Sequence, residues 1–293
     1  MRKLTLTCLT LLGSGTLIAL PVGNPAEASF LCDSVFCPPC AGFRPTFRIW
    51  NDFNYRGGFY GDYVFNRHLR VHEDENESFR SQLDHSTIST NAGYLVVNLW
   101  NSFDVFGTLG GSSISLEGNS TAFGPLSSPL LAGERVVIET NTDFSWSIGL
   151  RGTLWQCGNT YLGMEGQFFR TEPHVKQISL GDFSTVNPSS SSARLRAEYN
   201  DWQVGVGVAR RMAKYFIPYV AIKWSGSELH FRHNVEAIFV TDLSSITLND
   251  FRSRKHWGYA FGCSLIGCEK AALTAEGRFG DEKALYINAQ IRF

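Results

Sequence analysis

The sequence predicts an all-β protein, a transmembrane antiparallel β-barrel of roughly 12–16 strands that follows a cleaved signal peptide. Three observations predict it. The chain opens on an export leader, strand-length segments alternate apolar and polar residues, and no later stretch is apolar enough for a spanning helix.

The leader is "MRKLTLTCLTLLGSGTLIALPVGNPAEAS". Arg2 and Lys3 precede an apolar run with small residues, and the run is shorter than the ~20 residues a membrane helix needs. That is the pattern of a secretory signal peptide, with cleavage expected after Ala19 and, as a second choice, after Ala28 ("AEA"). The expected division is residues 1–19 as signal peptide, 20–42 as a Cys-rich N-terminal segment and 43–293 as the barrel. Export places the remaining cysteines, Cys32, Cys37, Cys40, Cys157, Cys263 and Cys268, in a compartment that permits disulfides. All six are disulfide candidates, and their connectivity stays open. In Cys37-Pro38-Pro39-Cys40 the C-x-x-C spacing alone fits a redox site, half a zinc site or a staple.

Strands follow in order. "YLVVNLW" puts Leu95, Val97 and Leu99 on one face, since successive strand side chains point to opposite sides. "SWSIGLRGTL" sets Trp146, Ile148 and Leu150 against Ser147, Gly149 and Arg151. "QVGVGVAR" and "PYVAIKW" oppose valine, isoleucine and tryptophan to glycine, alanine, tyrosine and Lys223. "AALTAEGRF" opposes Leu273 and Phe279 to Glu276 and Arg278. The last ten residues, "ALYINAQIRF", match the ~9–11 residues of a tilted membrane strand and end on Phe293, read as an outer-membrane assembly signal. A soluble β-sandwich also alternates, but here the polar positions alternate with glycine and serine instead of the lysine and glutamate of a wetted sheet. Short turns such as "WNSFD" and "GDEKA" take turns with long insertions, as barrel turns and outer loops do.

Composition agrees. The chain has 28 Gly and 13% aromatic residues, which suits turns and interfacial girdles. A net charge of -1 leaves no nucleic-acid footprint. Arg151, Lys223, Glu276, Arg278 and Arg292 sit opposite apolar residues and are expected to line the pore, because a basic group facing lipid at the midplane costs ~2–4 kcal/mol. Their basic excess suggests a mild anion preference. A barrel of that strand count is expected to enclose an aqueous channel.

Several blocks carry a resemblance. "LPVGNPAEAS", "GFYGDYVFNR", "NLWNSFDVFGTLG", "DFSWSIGLRGTLWQCG", "YFIPYVAIKWS", "FRSRKHWGYAFG" and "ALYINAQIRF" resemble, in order, the chlamydial major outer membrane protein, a porin family. The resemblance implies a homotrimeric general-diffusion porin of the bacterial outer membrane, a surface antigen, and disulfide cross-links to other envelope proteins. Departures are Gly107, Asn159 and Trp257 where the family commonly has cysteine, and Cys263 and Cys268 where it does not.

Other chemistries are weaker. Asp84 and His85 are adjacent on a strand and so diverge, which disfavours a rim protease. No G-x-S-x-G elbow is present, and "GVGVAR" lies mid-strand and is no dinucleotide fingerprint. His68 and His72 lie too far from the C-x-x-C for a zinc site. No metal or cofactor is expected. The expected activity is passive diffusion of small hydrophilic solutes and ions, without catalysis. A structural or adhesive surface protein anchored by a barrel is the second reading, and a barrel enzyme the third.

Overall fold

The structure is a computed structural model describing residues 20–30, 53–72, 83–100, 102–123, 134–181, 184–186, 195–213, 215–232, 248–267 and 270–293. In chain order the elements are α1 (Glu27–Phe30), β1 (Phe53–Arg67), β2 (Leu69–Val71), β3 (His85–Leu99), β4 (Phe103–Asn119), α2 (Ser120–Phe123), β5 (Arg135–Thr140) and β6 (Asp143–Cys157). Then come β7 (Thr160–Thr171), β8 (Val175–Leu180), β9 (Ser184–Val186), β10 (Arg196–Arg210), β11 (Phe216–Arg232), β12 (Phe251–Ser253), β13 (Trp257–Gly267), β14 (Ala271–Phe279) and β15 (Glu282–Arg292).

Ten of these strands close a ring: β3, β1, β15, β14, β13, β11, β10, β7, β6, β4 and back to β3, every neighbour antiparallel. Closure is a physical requirement, since lipid offers no partner to an open edge. The seam joins the first and last staves, with Gly58 opposite Gln290 and Tyr60 opposite Asn288. The expected 12–16 staves are therefore corrected to ten. The extra strands β2, β5, β8, β9 and β12 are short ladders of the outer connections, which alternate like staves but do not enter the ring.

The two ends differ. Tight connections link β3 to β4, β6 to β7, β10 to β11 and β13 to β14, and both β1's start and β15's finish lie at that end. The opposite end carries the four long connections, which barrels of this type direct outward, and also the tight β14–β15 turn of "GDEKA", so short and long connections do not sort strictly by end. Several staves run 15 or 17 residues, well beyond the ~9–11 needed to cross lipid, so they project past the bilayer at the long-loop end.

Outward residues are apolar: Leu95, Leu109, Ile148, Leu150, Val206, Ile222, Leu273 and Leu285 are exposed on the ring's outer face. Aromatics bracket this band. Trp146, Trp224, Trp257 and Phe279 lie toward the long loops; Trp100, Trp155, Phe216 and Phe293 lie at the short turns. Trp224 and Trp257 stack with centroids 6.1 Å apart, and Trp146 meets Phe168 at 5.6 Å. From Trp146 to Trp155 the strand climbs ~30 Å, which tilted by ~40° spans the ~25 Å of an apolar band.

Glycines allow the close backbone approach at the seam. A methyl group at Gly58 would overlap the carbonyl oxygen of Ala289 on the last stave. Gly58→Ala must therefore push β1 from β15, and we expect it to lower barrel stability by about 1–3 kcal/mol. Urea unfolding in detergent, followed by tryptophan fluorescence, reads this directly; an unchanged midpoint would show the seam to be slack.

Candidate functional site

The interior is the chemical part of the molecule, and it is full. Parity puts the polar residues there, and four groups fill it from the outer mouth inward. The first is apolar. Ile88, Ile114, Leu116, Ile138, Ile178, Leu229 and Phe231 from the projecting strands pack with Phe123 and Phe251, whose rings meet at 5.6 Å. The outer connections thus form a small core of their own within the mouth.

Below it lies a belt of buried ion pairs. The Arg67 guanidinium reaches Asp281 and Glu282, each at 3.2 Å, and donates to Ser227 and Ser253 at 3.2 and 3.1 Å. Lys223 Nζ sits 3.1 Å from Asp281 and 2.5 Å from Glu282. Arg278 pairs with Asp62 and, at 2.9 Å, with Glu282. Each charge has left water, and these contacts, with a bond from Ser225 to Asp281, offset that cost.

The third group is the N-terminal segment Leu20–Phe30. It was expected as a segment apart from the barrel; instead it runs inside the bore, with Leu20 to Ala28 all buried. Its direction follows from its partners on β10. Gln203 accepts from the Leu20 amide at 2.9 Å, Gly205 faces Val22, Gly207 faces Pro25, and Ala26 packs near Ala209. The chain thus descends from mid-bore toward the short-turn mouth. Glu276 accepts from the amides of Val22 and Gly23 at 3.1 and 2.9 Å and from the Tyr219 hydroxyl at 2.7 Å. Glu27 pairs with Arg151, which also pairs with Glu165. Thr153 donates to the Pro25 carbonyl at 2.9 Å, and Asn98 donates to that of Ala28 at 2.9 Å while also bonding Asp104, the partner of Arg56.

The opposite side of the bore is aromatic. Tyr60 lies 5.3 Å from Tyr286 and 6.3 Å from Tyr94, and the Arg151 guanidinium sits 5.3 Å from the Phe106 ring centre. An eight-stranded barrel is filled by side chains alone; ten staves leave room for one extended segment besides. The open channel expected from a wider barrel is therefore corrected: in this structure the bore is packed.

Of the five expected pore-wall residues, Arg151, Lys223, Glu276 and Arg278 point inward and are buried, engaged with partners instead of facing open water. Arg292 is half-buried at the short-turn rim, where its amide donates to the Lys270 carbonyl at 2.7 Å. Period-two reading missed Arg56, Asp62, Asp104, Glu165, Asp201 and Gln203, although each stands at the inward parity of its strand. Arg67 is hidden by a register shift between Val64 and Asn66, and Asp281 and Glu282 by their place at a turn. Adding them, with Glu198 also buried on β10, reverses the charge balance: eight acids and five bases are buried on the wall among the described residues.

The remaining candidates are scattered. Phe293 is 85% exposed beyond β15, its amide donating to Tyr55 at 3.1 Å. Cys157 ends β6 at the short turns, and Cys263 lies on the outward parity of β13; Cys32, Cys37, Cys40 and Cys268 lie outside the described residues, as does the leader. His85 bonds the neighbouring Asp84 carbonyl at 3.1 Å, not a carboxylate. Burial, with the positive charges of Lys255 and Arg254, pushes His68 below the ordinary histidine range. No cluster of three metal-ligating side chains occurs among the described residues.

A closed ring with an apolar exterior and a charged interior is a β-barrel of the bacterial outer membrane. The chain belongs to the Chlamydia major outer membrane protein family, whose sequence model matches residues 1–76, 70–188 and 232–293. A major outer membrane porin of Chlamydia pneumoniae is 30% identical over 95% of both chains, and one of Chlamydia psittaci is 29% identical over 100% of both. The latter alignment runs to 399 positions against 293 residues here, so that relative is the longer chain. Among solved structures, the outer membrane protease OmpT of Escherichia coli aligns with 83% of this chain and 97% of its own, at 12% identity and a TM-score of 0.43. A likeness of that size bears on neither chemistry nor mechanism.

The belt supplies a test of how the interior charges hold one another. Arg278→Met strands Asp62, and losing one member of a buried pair costs about 3–5 kcal/mol. Adding Asp62→Asn should recover part of that loss. Denaturant midpoints of the single and double variants check it; equal midpoints would show that the two groups do not interact.

Proposed function

We propose that the protein is an outer-membrane porin that passes small hydrophilic solutes and ions by diffusion, with no covalent chemistry of its own. The observation that carries this reading is the inner wall. Thirteen charged side chains buried along the described wall are costly for a mere anchor, and they suit a wall that solutes and water contact. The porin names of the relatives support it. The acid excess argues for a mild cation preference, in place of the anion preference expected from five residues alone. Across a KCl gradient the refolded mature chain should give stepwise currents whose reversal potential has the sign of cation selectivity. The opposite sign would refute the charge argument, and a sealed membrane would refute the porin reading.

The packed bore favours a second reading, a structural surface protein anchored by its barrel. Liposome swelling in small sugars separates the two.

Of the other assignments, the leader and the terminal aromatic rest on the sequence pattern, and the oligomer and cross-links on the family. They are a leader cleaved after Ala19, assembly recognition of the terminal Phe293, a homotrimer, and disulfide linkage within the envelope. Cys157 is the best-placed wall partner for the cysteines at 32, 37 and 40, because it lies at the end where Leu20–Phe30 leaves the bore. Non-reducing gels of native envelopes should show this chain in oligomers that collapse on reduction; monomer alone would reject intermolecular linkage.

A further inference from the structure

We propose that Leu20–Phe30 is a built-in plug that keeps the channel shut and must leave its seat for solutes to pass. The inference rests on the porin reading and adds the device that controls it.

Three observations carry it. The first is depth. The segment enters from the short-turn mouth and reaches Gln203, seven residues up β10, which is ~18 Å along the barrel axis at a tilt of ~40°. The second is specificity of the seat. Two consecutive amides of the plug, at Val22 and Gly23, converge on the single carboxylate of Glu276. Gln203 serves Leu20 through its oxygen and donates to the Pro21 carbonyl through its nitrogen. Gly23 stands at a φ of 63°, a left-handed conformation that glycine adopts freely, and its missing side chain leaves space for the Arg151 guanidinium. The third is reversibility. Apart from the Glu27 pair with Arg151, the two amide bonds to Glu276 and, once the leader is gone, the Leu20 ammonium on Gln203, the segment is held by neutral hydrogen bonds, those of Asn24 to Ser264 and Ile217 among them, and by small side chains such as Val22 and Ala26. When it withdraws, Arg151 keeps Glu165 and Arg56 keeps Asp104, so these two wall bases retain their counter-charges.

Direction adds a corollary. With cleavage after Ala19 the mature α-amino group is the Leu20 nitrogen, buried at the plug's tip beside the apolar cap. An attached leader would have to continue from that point through the filled bore. Processing therefore precedes seating.

A lockable plug tests the proposal. A β-carbon at Gly205 would lie 3.4 Å from that of Val22, close to the ~3.5–4.5 Å of a disulfide. In a mature chain with all six cysteines changed to serine, Val22→Cys and Gly205→Cys should oxidise to a bridge across the bore. Channel openings in planar bilayers should be at least tenfold rarer in the oxidised form than after reduction, while the cysteine-free parent ignores both treatments. Gly23→Ala in that parent changes no wall residue and should raise the open fraction. Failure of the bridge to form, or equal conduction of bridged and reduced channels, overturns the plug. Silence of the parent, the reduced form and Gly23→Ala together overturns the porin reading instead.

Discussion

Lipid provides no hydrogen-bond partner, and every large feature of this molecule follows from that. A sheet in the bilayer must close, so β1 pairs with β15. Closing divides all side chains into two populations by parity. The outward set is free to be apolar. The inward set is shut away from both lipid and bulk water, so its polar members must satisfy one another. Arg67, Lys223 and Arg278 with Asp62, Asp281 and Glu282 are that obligation met. The belt is thus a consequence of closure before it is a property of transport.

Ring size sets what else is inside. Ten staves leave a bore too wide for opposing side chains to fill and too narrow for a wide water column. Tyr60, Tyr94, Tyr286 and Phe106 fill one side, and a single extended peptide fills the other. The wall glycines make this possible. A methyl group at Gly163 would press on the backbone of Pro25, and one at Gly205 would meet Val22 at 2.7 Å. These glycines look like ordinary weak points of a strand, and they are the groove in which the N-terminus lies.

The sequence announced the barrel because parity is local: each of "ALYINAQIRF", "AALTAEGRF" and "PYVAIKW" shows its two faces without help from distant residues. Stave number was not legible for the same reason. β5 and β8 alternate as staves do, and only pairing shows that they end in the outer cap. Ion pairing was not legible either, since partners such as Arg278 and Asp62 lie 216 positions apart. Arg67 was further disguised by the shift after Val64, which moves it to the inward face against the run of the strand. The plug gave no signal at all. "LPVGNPAEAS" has no periodicity, and an extended peptide bound through its own backbone needs none.

That last point decides how the N-terminal segment relates to the wall. A strand is specified by its own side chains, but this peptide is specified mainly by what receives it: Glu276, Gln203, Thr153 and Asn98 bind main-chain atoms. Such a seat tolerates changes in many plug side chains and few changes in the wall. Three positions are exceptions: Glu27 pairs with Arg151, the Asn24 side chain donates to Ser264 and Ile217, and at Gly23 the backbone conformation and the space for Arg151 both exclude a β-carbon. Main-chain bonds to the neutral partners contribute only about 0.5–1.5 kcal/mol net each, and the two to Glu276 about 1.5–3 kcal/mol each. The wall's ion pairs, in contrast, join wall residues to one another, Arg151 alone also reaching the peptide through Glu27. On the plug proposal, the charged barrel keeps nearly the same fold while the segment is seated or withdrawn. This combination reconciles a polar conducting wall with a bore that is filled at rest.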